Sequence, residues 1–264
     1  MSDIRITGLY RYPLKSCHGE ALSEVPVDPL GLAFDRRWMA ADPHGRMITG
    51  RDEPRLVLLR AAAAADHVQL SAPGMDALRV ACAAMQDASL AWIHGTDFSA
   101  WAGSAEGDAW LSCFLGRPAR LLYIGEQSTR RIKRRPELPV AFADSYPILL
   151  TSSDSLAVLD AQVGRPMAMA RFRPNIVISG GAAFAEDGWR RIAIGDVVFS
   201  VEKPCERCVF TTVDPDSGEK SLDQEPLRSL AKFRKTPAGV LFGMNLIAEN
   251  AGYLSLDMPL RVLD

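Results

Sequence analysis

The strongest constraint on the fold is the dense punctuation of short apolar runs by proline and glycine, which number 17 and 20 in the chain. Ile4, Ile6, Tyr10 and Tyr12 occupy alternate positions, as expected of a strand with one buried face. Further runs of strand length lie at residues 56–59, 78–80, 176–178 and 197–201. This pattern predicts a mostly β fold with a few helices (α+β), because turn residues end each run early.

Three segments have the spacing and end signals of helices. The first spans residues 104–115, and the second spans 153–162 and is followed by Gly164, a residue that readily ends a helix. The third spans residues 225–234 and carries Pro226 in its first turn, where the missing N–H costs nothing. We therefore expect a small helical addition to the strands.

Residues 125–139 are the best candidate for a domain boundary, because the segment is polar and lacks apolar periodicity. We expect a β-rich N-terminal domain at residues 1–124 and a second domain at 125–264. The segment also contains a basic stretch at 130–135, and a run of like charges is typical of a solvated loop. The five consecutive alanines at 61–65 are interpreted as packed strand rather than linker.

Composition excludes several classes of protein. A net charge of −2 disfavours a dedicated nucleic-acid binder, which usually carries a basic excess. The densest apolar stretch, residues 56–65, is interrupted by Arg60, so no membrane span is predicted. The N-terminal sequence breaks each apolar run with a charge, which is unlike a signal peptide. The five cysteines are an odd number, and this favours reduced thiols in a cytoplasmic protein.

The strongest local signal for chemistry is the pair Cys205 and Cys208. A structural zinc site normally needs four ligands, and the remaining cysteines and histidines are scattered. A thioredoxin-like pair should open a helix, whereas this pair follows a predicted strand. Arg207 and Lys203 are close in sequence, and nearby cations favour a thiolate. Two interpretations stay open, a thiolate ligand or nucleophile and an inert pair of loop thiols.

Lys15 and Ser16 follow the first predicted strand, and a lysine beside a hydroxyl can hold a phosphate. The glycines of a P-loop are absent before Lys15, so ATP use is disfavoured. Arg36 and Arg173 stand in motifs rich in arginine. By composition alone, they are interpreted as solvated or salt-bridged surface residues.

Taken in order, these pieces resemble the MOSC family, and in particular its two-part members. The similarity covers nearly the whole chain and rests on the segments YPLKSC, FDRRW, GRDEPRLVLL, FADSYPILL, RFRPNIVISG, IGDVVF, CERCVFTTVDPDSG and LFGMNLIAEN. The resemblance implies a MOSC N-terminal β-rich domain followed by a MOSC β-barrel domain that binds the molybdenum cofactor (Mo-molybdopterin).

The resemblance also implies roles for individual residues. Cys208 matches the molybdenum ligand, and Cys205 matches a family cysteine that does not bind metal. Lys15, Ser16 and Arg36 match positions that hold the phosphate of the cofactor. The positions that line the pterin are matched by Ser145, Tyr146, Arg173 and Asn175.

The implied reaction is the reduction of N-hydroxylated compounds to an amine and water. Asp214 is the candidate proton donor, although a turn-forming aspartate bonded to nearby backbone is an equally good interpretation. The chain lacks the four cysteines of a ferredoxin domain, so we expect electrons from a separate flavodoxin, ferredoxin or flavin reductase. The basic stretch at 130–135 is an alternative docking patch for such a donor. A non-catalytic cofactor carrier, a sulfur-transfer protein and a β-rich interaction module are the rival interpretations.

Overall fold

The computed structural model describes residues 4–126 and 128–264. The first part of the chain contains β1 (Arg5–Arg11), β2 (Glu20–Leu22), β3 (Glu24–Asp28), β4 (Gly31–Leu32), β5 (Trp38–Ala41), β6 (Arg60–Ala63), β7 (His67–Ala72), β8 (Met75–Ala81), β9 (Asp87–Ile93), β10 (Thr96–Ala102), α1 (Ala105–Leu115) and β11 (Arg120–Tyr123). The second contains β12 (Arg131–Ile132), β13 (Arg135–Pro139), β14 (Ile148–Ser152), α2 (Ser153–Val163), β15 (Ile176–Ser179), β16 (Arg191–Ile194), β17 (Val197–Arg207), α3 (Leu227–Phe233), β18 (Lys235–Thr236), β19 (Gly239–Ala248), β20 (Gly252–Ser255) and β21 (Leu260–Val262). The mostly β class with a few helices is confirmed.

The predicted helices are confirmed within one or two residues at each end. Helix α1 begins after Ser104, whose hydroxyl accepts a hydrogen bond from the backbone N–H of Gly107. Helix α2 is capped by Ser152 and ends at Gly164, which adopts the left-handed conformation. Among the described residues, no helix is both long and apolar enough to cross a membrane.

The strand predicted at residues 56–59 is wrong. Pro54–Leu58 instead forms a short 3₁₀ helix, with Pro54 in its first turn. Proline fixes φ near the helical value, and this local preference prevails over the apolar run that suggested a strand. Leu56 and Val57 are still buried, so the run contributes to the core as expected.

A nine-stranded sheet dominates the second part of the chain, in the order β2-β1-β15-β14-β19-β17-β16-β21, with β18 paired to β19. Strands β14 and β15 are parallel, while β17 and β19 form a long antiparallel pair. No ladder pairs β2 or β1 with β21, although the start of β1 meets the segment before β21 at an isolated bridge between Arg5 and Pro259 and through a few backbone hydrogen bonds. The expected closed barrel is therefore not formed by continuous strand pairing.

Smaller sheets complete the fold, in the orders β5-β11-β10-β9, β6-β7-β8 and β20-β3-β4, together with the hairpin β12-β13. One apolar cluster centred on Trp38 and Leu121 fills the first part, and another around Phe199 and Leu246 lies on the large sheet. Strand β1 joins the large sheet by pairing with β15. The N-terminal strand thus brings the residues that follow it, from Tyr12 onwards, against the second part of the chain. The boundary between residues 124 and 125 stays a prediction.

Candidate functional site

A cavity of about 500 Å³ opens where the two parts of the chain meet. This size is typical of sites for small molecules and cofactors. Two carboxylates, Asp144 and Glu206, line it. The lysine and arginine side chains in its walls are Lys15, Arg36, Arg51, Arg171, Arg173, Lys203 and Arg207. Cations outnumber carboxylates in this wall, so the cavity suits an anionic ligand.

The cavity collects most of the predicted site residues, although they are far apart in sequence. Those that line it are Lys15, Ser16, Arg36, Ser145, Tyr146, Arg173, Asn175 and Cys208. Asp214 is not among the lining residues. The structure thus places these eight residues together, while the role of each stays a prediction.

Lys15 is buried at one end of the cavity. Its Nζ donates to the carbonyl of Phe142 at 2.7 Å and to Oδ1 of Asp144 at 2.5 Å. Burial lowers the pKa of Lys15, while the Asp144 carboxylate opposes that shift. Partial burial in the cavity wall opposes ionisation of the Asp144 carboxyl group. The Lys15 ammonium and a hydrogen bond with His94 outweigh this effect and hold the pKa of Asp144 well below the usual range. This end therefore contains an ion pair in place of a free ammonium group.

His94 is a member of the site that sequence reasoning missed. It lies in the turn between β9 and β10 with a φ of 49°, and its Nε2 is 3.2 Å from Oδ1 of Asp144. Asp144 was also missed, although it lies in the FADSYPILL segment beside Ser145. The pair is brought to Lys15 only by tertiary contacts, since the three residues belong to distant segments.

Arg36 is held by a carboxylate and an amide. Its Nη1 donates to Oδ2 of Asp35 at 2.5 Å and to Oδ1 of Asn175 at 2.9 Å. Burial lowers the pKa of Arg36, but the Asp35 carboxylate outweighs burial and raises it. Asn175 also accepts from the backbone N–H of Leu149 and donates to the carbonyl of Tyr10. Asn175 therefore joins β1, β14 and the Arg36 guanidinium in one buried network.

Arg173 has a different environment, with aromatic neighbours in place of a carboxylate. Its Cζ lies 4.1 Å from the ring centre of Tyr12 and 5.4 Å from that of Phe210. Nη1 donates to the carbonyl of Cys17 at 2.6 Å. Nη2 is buried and has no hydrogen-bond partner among the described residues. Burial lowers the pKa of Arg173, and an anion in the cavity would supply the missing partner.

Half of the described non-glycine residues with a positive φ line the cavity. Among the described residues that are not glycine, Ser16, Arg36, His94 and Arg173 have φ values of 70°, 48°, 49° and 56° and also line the cavity. The left-handed conformation costs free energy for such residues, and it persists only when surrounding contacts enforce it. Strain of this kind is typical of ligand sites.

Ser145 and Tyr146 follow Asp144 in the cavity wall. Tyr146 is 7% exposed and packs in a cluster with Ile132, Val140 and Ile247. Ser145 is exposed to the cavity. This wall therefore offers one hydroxyl to a ligand and buries most of the other side chain in the core.

The two predicted thiols have different surroundings. Cys205 is on β17 and partly buried, and Nη1 of Arg207 lies 3.0 Å from its Sγ. Cys208 is exposed and precedes the 3₁₀ helix Val209–Thr212. Its carbonyl accepts from the backbone N–H and the hydroxyl of Thr211 at 3.0 and 2.9 Å. Cys208 is thus the accessible thiol on a fixed backbone, while the neighbouring guanidinium contacts Cys205.

Asp214 lies in a turn behind the cavity wall. Its Oδ1 accepts from the backbone N–H groups of Asp216 and Ser217, both at 3.0 Å. Its Oδ2 is 2.7 Å from Nη2 of Arg171. Slight burial opposes ionisation, but these donors outweigh it and lower the pKa of Asp214. This is the arrangement expected of the turn-forming alternative.

The basic stretch at 130–135 is not uniform. Arg130 is buried, and its guanidinium donates to the carbonyls of Ala141, Ala143 and Asp144. Burial lowers its pKa to about 10. Lys133 and Arg134 are exposed in the β12-β13 hairpin. The interpretation as a solvated loop therefore fails for Arg130, whose role is to support the wall that carries Asp144.

Comparison with known proteins identifies the family. Sequence profiles of the MOSC N-terminal beta barrel domain and the MOSC domain match residues 3–118 and 137–261. Mitochondrial amidoxime-reducing component 1 of Homo sapiens is 33% identical over 285 residues, covering 98% of this chain and 82% of that protein. The chain belongs to the MOSC-domain family.

Other relatives also match this MOSC-domain chain over nearly its whole length. Mitochondrial amidoxime reducing component 2 of Rattus norvegicus is 33% identical and covers 98% of the chain and 83% of its own length. Mitochondrial amidoxime-reducing component 1 of Xenopus laevis is 30% identical, and the match covers 96% of this chain and 80% of that protein. Among solved structures, the YUAD protein of Bacillus subtilis is 12% identical and covers 98% of this chain and 97% of its own, with a TM-score of 0.44.

Proposed function

We propose that this protein is a molybdenum-cofactor-dependent reductase of N-hydroxylated compounds. The observation that carries the proposal is one cavity that combines the accessible thiol of Cys208 with a cationic wall. Relatives that are 33% identical over nearly the whole chain are named as amidoxime-reducing components, and this name supports the same reaction class here.

The residues present fit such a cofactor. Its phosphate is an anion, and Lys15, Ser16 and Arg36 line the cavity. Its pterin carries hydrogen-bond acceptors, and Arg173 presents a buried Nη2 that lacks a partner within the described residues. Its metal requires a soft donor, which the Cys208 thiolate supplies. In residues 4–126 and 128–264, no three side chains of histidine, cysteine, aspartate or glutamate gather as a metal site. The other metal ligands would therefore come from the cofactor itself.

We assign the phosphate to Lys15, Ser16 and Arg36, and the metal to Cys208. The pterin would contact four other lining residues, which are Ser145, Tyr146, Arg173 and Asn175. When bound, the cofactor supplies a centre that exchanges two electrons and accepts oxygen. The chain supplies the ligand thiol, the charged cradle and the orientation.

The overall reaction is R–NHOH plus two electrons and two protons to R–NH₂ and water. Because Cys208 is exposed, the reacting end of the cavity is open to solvent, and we infer that solvent delivers the protons. Asp214 was the donor suggested by the sequence. We assign it instead to holding the TTVDPDSG segment, since its carboxylate is bonded to Arg171 and to backbone N–H groups.

Electrons would come from a separate redox protein of the flavodoxin, ferredoxin or flavin-reductase class. The partly buried arginines and lysine in the cavity wall, together with the exposed Lys133 and Arg134, favour an acidic donor. Nucleic acid is not an expected partner. A cytoplasmic location stays a prediction, and the relatives reported above carry mitochondrial names.

The test is metal and pterin content per chain after expression in a host that makes the cofactor. We expect about one molybdenum per chain, lost in Cys208→Ser and retained in the matched variant Cys205→Ser. Turnover of an N-hydroxylated substrate with an artificial donor then separates a reductase from a carrier. Equal molybdenum content in the two variants would refute the assignment of Cys208 as the metal ligand. Bound cofactor without turnover would refute the reductase activity.

A further inference from the structure

Tyr12 lies against two arginines of the cavity wall, Arg36 and Arg173, and is not itself one of the lining residues. It follows β1 and is 1% exposed. Its hydroxyl donates to the carbonyl of Pro174 at 3.2 Å, and its backbone N–H donates to Oδ1 of Asp35 at 2.8 Å. Both contacts reach residues adjacent in sequence to cavity arginines.

The ring of Tyr12 contacts both of those arginines. The Cζ atoms of Arg36 and Arg173 lie 4.4 and 4.1 Å from its centre. Two guanidinium groups this close repel each other, and a ring within about 6 Å attracts both through its quadrupole. Burial raises the pKa of Tyr12, so the ring carries a neutral phenol and adds no charge of its own.

The positions of Arg36 and Arg173 depend on the Tyr12 ring to different degrees, because the two side chains have different other contacts. Arg36 is also held by Asp35 and Asn175. The Arg173 side chain donates one hydrogen bond among the described residues, to Cys17, and its guanidinium also lies against the rings of Tyr12 and Phe210. Removing the Tyr12 ring would therefore release Arg173 more than Arg36.

We propose that Tyr12 is a positioning residue for anion binding, whose ring holds the guanidinium groups of Arg36 and Arg173 in place in the cavity wall. The inference rests on the cofactor site of the proposed function and adds a residue that touches neither cofactor nor substrate. It also explains why a large polar aromatic is fully buried at this point. The ring supports charged groups in addition to filling space.

The test compares Tyr12→Leu and Tyr12→Phe with Phe199→Leu in the full chain. The proteins are made in a host that lacks the cofactor, and the probe is inorganic pyrophosphate, measured by calorimetry. We expect Tyr12→Leu to weaken binding about tenfold, the effect of one good cation–π contact. Tyr12→Phe keeps the ring and should stay within about twofold.

Phe199→Leu is the matched control, because Phe199 is fully buried on the large sheet, away from the cavity. It should lower the melting temperature as Tyr12→Leu does, without changing pyrophosphate affinity. Equal affinity in Tyr12→Leu and the unmodified chain would overturn the proposal. An equal loss in Phe199→Leu, or no binding by the unmodified chain, would overturn it as well.

These outcomes are separate from those of the proposed function. A chain that binds pyrophosphate through Tyr12 but never reduces an N-hydroxylated substrate would uphold the inference and refute the activity. If the protein reduces such substrates but Tyr12→Leu leaves pyrophosphate affinity unchanged, the activity is upheld and the role of Tyr12 is refuted. As a second readout, molybdenum content after expression in a cofactor-making host should fall in Tyr12→Leu and not in Tyr12→Phe.

Discussion

The ammonium group of Lys15 lies 2.5 Å from the carboxylate of Asp144, and the two residues are contributed by opposite parts of the chain. Lys15 is 7% exposed at its side chain, whereas Asp144 is 62% exposed. The pair thus joins a buried cation to a carboxylate that still meets solvent. An incoming anion would compete with Asp144 for the same ammonium group.

Asp144→Asn should therefore destabilise the fold by about 1 kcal/mol at pH 7, the upper range for solvent-screened pairs. The folded pKa of Asp144 is depressed, so its contribution is present above the ordinary carboxyl pKa of about 3.9 and is lost as pH falls through the lower folded value. Urea unfolding of both proteins at pH 7, 4 and 3 measures this. A stability difference that grows towards pH 3 would contradict the sign.

Arg130→Met should be much more destabilising than its place in a basic stretch suggests. The substitution leaves the carbonyls of Ala141, Ala143 and Asp144 without their buried donor, at a cost of about 2–4 kcal/mol. Arg134→Ala is the control, because Arg134 is exposed and its loss should change stability by less than about 0.5 kcal/mol. Chemical denaturation gives both values. Similar small effects would show that Arg130 is an ordinary surface residue.

Gly50→Ala should disturb the site without altering any charge. A Cβ at this position would lie 2.2 Å from the Phe210 ring, which packs on Arg173. We expect overpacking to lower the free energy of unfolding by about 1–3 kcal/mol and to reduce the molybdenum content of the protein. Gly188→Ala, where the new Cβ meets nothing within 4 Å, is the control and should be neutral. Unchanged molybdenum content in Gly50→Ala would argue against a role for this contact.

Asp214→Asn should lower stability and leave the pH dependence of turnover in place. The variant weakens the ion pair with Arg171, which is worth about 1 kcal/mol for a partly exposed carboxylate. Because we assign Asp214 to the turn, the pH profile of kcat should keep its shape. The measurement is kcat against pH with an artificial electron donor. A profile that loses its basic limb, where the rate falls as a proton donor deprotonates, would restore Asp214 as the proton donor.

The sequence predicted most of the local structure, for identifiable reasons. Helices α1 and α2 follow from their serine caps and terminal glycines, which act within a few residues. The failure at residues 56–59 arose where Pro54 and an apolar run gave opposing signals. The sequence could not predict that the sheet stays open, because closing a barrel would require continuous pairing between strands remote in sequence, such as β1 and β21, and no such ladder forms.

The candidate site divides in the same way. Family motifs named Lys15, Arg173 and Cys208, which the structure brings to one cavity. They did not name His94 or Asp144, whose importance comes from what they contact. Arg130 was misjudged for a related reason, since a charge run in sequence carries no information about which of its members becomes buried.

By itself, the sequence determined the strand-rich class, the three helices, the family and the chemical types of the site residues. These follow from local spacing, capping and motif identity. Only the tertiary structure decided that Tyr12 lies under two arginines, that Arg207 contacts Cys205, and that Asp214 lies outside the cavity. Charge pairing, burial and ring contacts depend on distances of a few ångströms between segments that are remote in sequence. Those distances are set when β1 joins the sheet of the second part.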